Sequence, residues 1–229
     1  MITKEMHVSA IVRENPALSR VFEGIGIDYC CAGAIPLDEA CRKQGLDTAT
    51  LVTVLNSQPP AQNGDARVDG LSVRELIEHI VSTHHAFLRR EVPRLQQLTQ
   101  KVAQGHGVDD PRLVEVAKAF HTLALELMPH QDTEENEVFP HLTDGVMDGG
   151  NGNGTADVSE RLAALETEHE LVGGLLAQIR ELTDGYEPPE WACNTTRAMF
   201  HGLAELEADV HRHIHKENHI LFPRVGAGR

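Results

Sequence analysis

Aromatic side chains make up only 4% of the chain, with one tryptophan and two tyrosines. Runs of β-branched residues are scarce too. Sheet proteins draw on both, so the composition leans away from β architecture. Apolar runs are short: none approaches the roughly 18 residues of a membrane helix. Basic residues are outnumbered, 20 Lys and Arg against 35 Asp and Glu, which leaves a formal charge of −15. A surface of that sign repels phosphate backbones and anionic lipid, removing nucleic acid and membranes from the expected partners. The four cysteines, two of them adjacent, do not make the disulfide framework of a secreted domain in 229 residues. The opening Met1–Met6 lacks an apolar stretch, so no secretory signal is expected and the reading is a cytoplasmic protein.

Histidine, by contrast, is abundant. Fourteen of them raise the expectation of metal binding. Two segments share one pattern. His130-Gln-Asp-Thr-Glu134 and His213-Ile-His-Lys-Glu217 each place a histidine four residues before a glutamate, and each is followed at the same distance by Phe-Pro, Phe139-Pro140 and Phe222-Pro223. Residues four apart lie one above the other on a helix. One imidazole and one carboxylate therefore point at the same place, twice.

A helical wheel of the second segment, with Leu203, Leu206, Val210, Ile214 and Leu221 as the apolar face, sets Glu217 roughly 30° and His213 roughly 70° from its centre. His215 and His219 fall on the water side. A carboxylate on an apolar face is costly unless paired or coordinated. The competing reading for one such helix is a buried Glu–His or Glu–Arg pair. The duplicate weighs against it, because Glu134 also falls on an apolar face, with Leu113, Phe120, Leu127 and Val138. His169 lies in line with Leu162, Leu165, Val172 and Leu176. Of the adjacent His84 and His85, the wheel puts His84 nearer the face centre. Four imidazoles and two carboxylates suit two ions of Fe, Mn, Zn or Ni. Carboxylates bridging the pair favour iron, and six donors leave open positions for small-molecule chemistry.

The chain order places these segments on four long helices. The first opens with the capping box Ser72-Val-Arg-Glu75 and runs to about Gln104. The second runs from Asp110-Pro111 to about Phe139, followed by a glycine-rich loop over Asp144–Thr155. The third runs from near Asp157 to near Thr183. The fourth runs from Pro188-Pro189 to about Leu221. The fold class is all-α, with an up-and-down four-helix bundle over residues 71–229. Residues 1–57 read as a small helical domain, with Gly24 and Gly26 ending one helix, Gly45 ending another, and Asp47 capping the one that carries Leu51, Val54 and Leu55. Residues 58–70, rich in proline, glycine and polar side chains, read as a linker. The thin core of the small domain leans on a partner surface, its own chain's or that of a second copy in a homodimer.

Between the small domain's helices sits Gly26-Ile-Asp-Tyr-Cys-Cys-Ala-Gly33. Vicinal thiols flanked by glycine read as exposed and exchangeable, so Cys30 and Cys31 are candidates for a redox or metal-transfer role. Cys41 and Cys193 carry no local pattern and read as structural.

These motifs together are specific. Gly26–Gly33, followed by Leu37-Asp-Glu-Ala-Cys41 and Gly45-Leu-Asp47, resembles the short ScdA-type amino-terminal domain. The His130/Glu134, Glu166-Thr-Glu-His169 and His213/Glu217-Asn218 segments resemble the hemerythrin-like domain joined to it. Nearly the whole chain resembles the repair-of-iron-centres family of di-iron proteins. The resemblance implies a di-iron cofactor held by His85, His130, Glu134, His169, His213 and Glu217, with both glutamates bridging. His85 enters through this resemblance: the family's first-helix ligand stands eight residues before a proline, here Pro93. Also implied are a cytoplasmic role in restoring iron–sulfur clusters damaged by nitrosative or oxidative stress, damaged iron–sulfur proteins as partners, and nitric oxide or oxygen as small ligands. A nitric oxide reductase forming nitrous oxide, a hemerythrin-like oxygen binder or sensor, and a zinc-stabilised bundle are the alternatives.

Overall fold

A computed structural model describes residues 1–58, 68–148 and 155–226. Helices dominate, and among the described residues there is no β-strand, only the isolated bridge between His7 and Pro36. Backbone contacts divide the chain into two compact units, 77–210 and 1–76 with 211–229.

The larger unit is a four-helix bundle. Its first rod is α5 (Val73–Ile80), a π turn (Val81–His85) and α6 (Ala86–His106). The second is α7 (Arg112–Thr133), a π turn (Glu134–Val138) and α8 (Phe139–Asp148). The third is α9 (Thr155–Leu182), and the fourth is α10 (Asn194–Lys216). Side-chain pairs fix the directions. His85 meets Glu135 while Gln96 meets His121, so α6 and α7 run antiparallel. Glu137 meets Arg161 while Asp184 meets Arg112, so α7 and α9 do the same. The up-and-down order expected from short connections is what forms. Its core is aliphatic: Leu88, Leu95, Val116, Leu123, Leu176 and Leu206 are essentially inaccessible. The helix α8 extends to Asp148, so the glycine-rich loop begins later than Asp144, and its residues 149–154 lie outside the described residues.

The smaller unit begins with α1 (Val8–Glu14), a 3-10 turn (Pro16–Leu18) and α2 (Ser19–Ile25), then α3 (Leu37–Gln44) and α4 (Thr48–Ser57). Local signals set its ends. Gly26 and Gly45 stop α2 and α3 with φ of 71° and 66°, which side chains resist. Asp47 caps α4 by accepting the Thr50 N–H. One expectation fails here: Gly24 lies inside α2 and does not end it. The helix α4 carries Leu51, Val54 and Leu55 as expected, with Val54 39% exposed. Of the expected linker, 59–67 lie outside the described residues, and Val68–Gly70 forms a 3-10 turn. Ser72 and Glu75 close their capping box at the start of α5.

The end of the chain belongs to the same unit: the last turns of α10, a π turn (Glu217–Leu221) and α11 (Phe222–Gly226). His215 and His219 do not face water. His215 is buried and donates from Nδ1 to the Tyr29 carbonyl at 3.2 Å, and His219 donates from Nε2 to the Cys30 carbonyl at 2.6 Å. Burial holds the His215 pKa down at about 3, with His219 adding to the effect. A wheel drawn for one apolar face cannot see a helix buried on two.

Cys193 also departs from its expected structural role. It is exposed, immediately ahead of α10, with Sγ 3.3 Å from Thr196 Oγ1 and 3.8 Å from His106 Nε2. Hydrogen bonds from Thr196, then from His106, lower its pKa to about 6. The thiolate, the reactive form, therefore prevails at neutral pH. Alkylation by iodoacetamide, followed by peptide mass spectrometry, is expected to rise through an inflection near pH 6 at Cys193. Thr196→Val is expected to move that inflection towards the ordinary thiol value of about 8.5.

Candidate metal centre

Among the described residues three π turns interrupt the long rods, and each carries a residue of the candidate set: His85 closes the first, while Glu134 and Glu217 open the others. Two of them have a cause legible in the sequence. Pro140 and Pro223 have no N–H, and each ring would clash with the carbonyl four residues back, Asn136 or His219. A wider turn at that point relieves the clash. In the first rod Ser82 donates its hydroxyl to the Glu78 carbonyl at 2.7 Å, competing for the acceptor its own N–H would use. Such bulges recur at functional sites because the extra residue re-aims the side chains around it.

Re-aiming decides between His84 and His85. His84 turns its Nδ1 to the buried Asp209 carboxylate at 3.0 and 3.1 Å. His85 brings Nε2 to 3.3 Å from Glu134 Oε2. The regular wheel put His84 nearer the face centre; the π turn breaks its 100° step and turns His85, not His84, towards Glu134.

Two groups of buried donors result: His85, Glu134, His213 and Glu217; and His130, Glu134, His169 and Glu217. Within each, the ligand atoms lie within 4.8 Å of one another. Glu134 spans the two imidazoles of its surroundings, Oε2 towards His85 and Oε1 at 3.2 Å from His130 Nε2. His213 Nε2 stands 2.9 Å from Glu217 Oε1, and the Nε2 atoms of His130 and His169 are 3.0 Å apart. All six residues are at most 5% exposed.

The outward nitrogens are held as well. His85 donates from Nδ1 to Glu135 at 2.7 Å, and Arg89 holds Glu135 and Asp132 in turn. His130 donates from Nδ1 to Glu168 at 2.6 Å. A carboxylate on Nδ1 fixes the tautomer that leaves the Nε2 lone pair facing inward, the arrangement that supports metal-binding histidines. Glu135 and Glu168, which hold two of the candidate ligands, were not singled out by sequence reasoning. Their signal was available: each sits beside a candidate ligand, next to Glu134 and next to His169. Gln131, one turn before Glu134, was missed too. It is fully buried, and neither amide atom has a hydrogen-bond partner among the described residues. Buried amides of this kind take their partners from water or a small ligand.

The donor set fits metal. Buried carboxylates brought against imidazole nitrogens, shared by two four-donor groups, suit two divalent ions bound by nitrogen and oxygen.

Cys30 and Cys31 lie in the loop after α2, together with Asp28. Only Cys31 is partly accessible; Cys30 is buried. The Cys30 pKa is pushed up by its hydrogen bond with Cys31, by burial and by the Asp28 charge.

Comparison with known proteins agrees with this geometry. Residues 76–225 match the model of the hemerythrin HHE cation binding domain, and residues 4–58 match ScdA_N, described as a domain of unknown function. The chain is 34% identical to the iron-sulfur cluster repair protein ScdA of Staphylococcus haemolyticus, over 97% of this chain and 98% of that protein. It is 30% identical to a probable iron-sulfur cluster repair protein of Haemophilus influenzae, over 96% of both. It is also 30% identical to the iron-sulfur cluster repair protein YtfE of Yersinia pseudotuberculosis, over 98% of both.

Proposed function

The chain belongs to the family in which an ScdA-type amino-terminal segment precedes a hemerythrin HHE cation-binding domain, and on that premise we propose that it repairs iron–sulfur clusters damaged by nitrosative or oxidative stress. The observation that carries the reading is that Glu134 and Glu217 are common to both buried donor groups. His85 and His213 would hold one iron, His130 and His169 the other, and the two glutamates would bridge them. Six protein donors would leave room at the pair for a small ligand. When bound, the iron pair supplies Lewis acidity, electrons for a small ligand such as nitric oxide or oxygen, and iron itself for a depleted cluster.

The chain's own contribution is to hold six donors in a buried space and to fix their orientation. Glu135 and Glu168 keep two imidazoles in the tautomer that turns Nε2 inward. Burial excludes bulk water, which strengthens the field the carboxylates exert on whatever occupies the centre. Cys30 and Cys31 are assigned redox or iron-transfer chemistry. We assign residues 1–57 to the thiol-bearing domain, 58–70 to a linker and 71–229 to the bundle. No described helix is long and apolar enough to cross a membrane. The proposed clients, iron–sulfur enzymes, place the activity in the cytoplasm.

The test is direct. The reduced, iron-loaded protein is mixed with a cluster enzyme inactivated by nitric oxide, and recovery of that enzyme's activity is followed. Recovery is expected, and no recovery above an equal amount of free ferrous ion overturns the proposal. Nitrous oxide measured in the same mixture separates removal of nitric oxide from donation of iron.

A further inference from the structure

The loop after α2 is built around one carboxylate. Asp28 Oδ1 accepts the N–H groups of Cys30 and Cys31 at 2.8 and 2.9 Å, and Oδ2 accepts that of Ala32 at 3.1 Å. The Cys30 thiol donates to the same Oδ1 at 3.2 Å. His215 and His219 hold the carbonyls of Tyr29 and Cys30. Gly33 closes the loop so tightly that a Cβ there would overlap the Tyr29 carbonyl and press on Ser9. The backbone that carries both thiols is therefore fixed from several sides.

Their spacing is informative. The two Sγ atoms stand 3.7 Å apart. A disulfide needs about 2.05 Å, and neighbouring cysteines reach it only with strain. Two thiolates at about 2.3 Å from one tetrahedral ion stand about 3.8 Å apart. The observed gap, which a thiol–thiol hydrogen bond spans, is close to the chelate spacing and far from that of the disulfide. A third donor, the Asp28 carboxylate, lies within 4.8 Å of both sulfurs.

We propose that Asp28, Cys30 and Cys31 form a separate mononuclear site for a thiophilic divalent transition-metal cation. The cation displaces both thiol protons, including the one Cys30 shares with Asp28, so two protons leave and no electron moves. Sulfur ligands select borderline-soft ions such as zinc and ferrous iron over magnesium and calcium. Cys30 is the buried anchor, and Cys31, half-exposed, is the side from which the ion enters and leaves. The fourth position is open for a ligand from outside the chain, as in sites that exchange their cargo. Binding weakens as pH falls, because protons compete for both sulfurs. The site stands on its own geometry and does not rest on the repair reading.

Cobalt(II) is the probe, titrated into the reduced full-length chain carrying Cys193→Ser, so that the exposed thiol makes no contribution. The expected result is a thiolate-to-cobalt charge-transfer band that saturates with one equivalent. Cys31→Ser, near-isosteric at a half-exposed position, is expected to lose that band and that equivalent while keeping the cobalt bound by histidine and glutamate. Asp28→Asn is expected to keep the band at weaker affinity. Absence of the band in the parent chain, or its survival in Cys31→Ser, overturns the proposal. Either outcome is independent of whether the protein repairs clusters.

Discussion

Glu134→Ala is expected to empty both proposed metal positions, not one. The residue is shared: Oε2 faces His85 and Oε1 faces His130, and each imidazole belongs to a different donor group. Removing it would take a carboxylate donor from each proposed position, leaving Glu217 as the one glutamate common to both groups. His169→Ala is the matched control, because that residue belongs to one group only. Metal content after chelator challenge is expected to fall from two ions towards none in Glu134→Ala and towards one in His169→Ala. The Glu168→Gln variant, which touches only the outward nitrogen of His130, is expected to weaken affinity by about 10–100-fold. Stability follows by linkage. A ligand present at 100 times its dissociation constant adds about 2.7 kcal/mol to the folded state. For a chain of this size that is about 5–10 °C in melting temperature. The metal-dependent part of the melting temperature is expected to vanish in Glu134→Ala. Retention of two ions by this variant would remove the bridging role.

Much of the fold was legible because its determinants are local. Ser72-Val-Arg-Glu75, Asp47 and the glycines at 26 and 45 act through neighbours in sequence, and each set the end it was expected to set. The four-residue spacing of His213 and Glu217 was legible for the same reason, since the two do meet at 2.9 Å. What departed were the wheel's preference for His84, drawn through a π turn, and the placing of His215 and His219 on the water side of a helix taken to have one buried face. The extra residue in Val81–His85 rotated His85, not His84, towards Glu134. His215 and His219 were assigned to water because their carbonyl partners, Tyr29 and Cys30, come from nearly two hundred residues away. No periodicity in the last helix encodes that contact. The repeated Glu-x4-Phe-Pro spacing was visible in both rods, and its meaning as a π turn followed by proline emerges only with the backbone in hand.

A carboxylate on an apolar face does not by itself mark a metal, and Glu207 shows why. It lies on α10 near the same stripe as Glu217, is 3% exposed, and yet belongs to no donor group. Arg180 of α9 neutralises it with a forked contact, from Nε at 3.0 Å and Nη2 at 2.6 Å to Oε2. The guanidinium also lies over the Tyr186 ring, 5.3 Å from its centroid. This is the Glu–Arg pair that competed with metal as the explanation for Glu217, realised three turns earlier on one helix. Breaking it is expected to be costly, because the survivor is a buried charge. Removal of one partner from such a pair costs about 3–5 kcal/mol. Arg180 is about one-third exposed, so water screens part of the field and the lower end applies. Arg180→Met is expected to lower the melting temperature by about 6–12 °C. The double variant Arg180→Met/Glu207→Met, which replaces both charges by apolar chains of similar length, is expected to recover most of the loss, since a packed apolar pair is often as stable as a buried ionic one. Metal content of the folded fraction is expected to stay at the parent value in both. Thermal melts of the two variants with metal analysis on the same samples decide it. A single variant as stable as the parent would mean Glu207 finds its compensation elsewhere, and a loss of metal would mean that Arg180 acts on the centre as well as on the bundle.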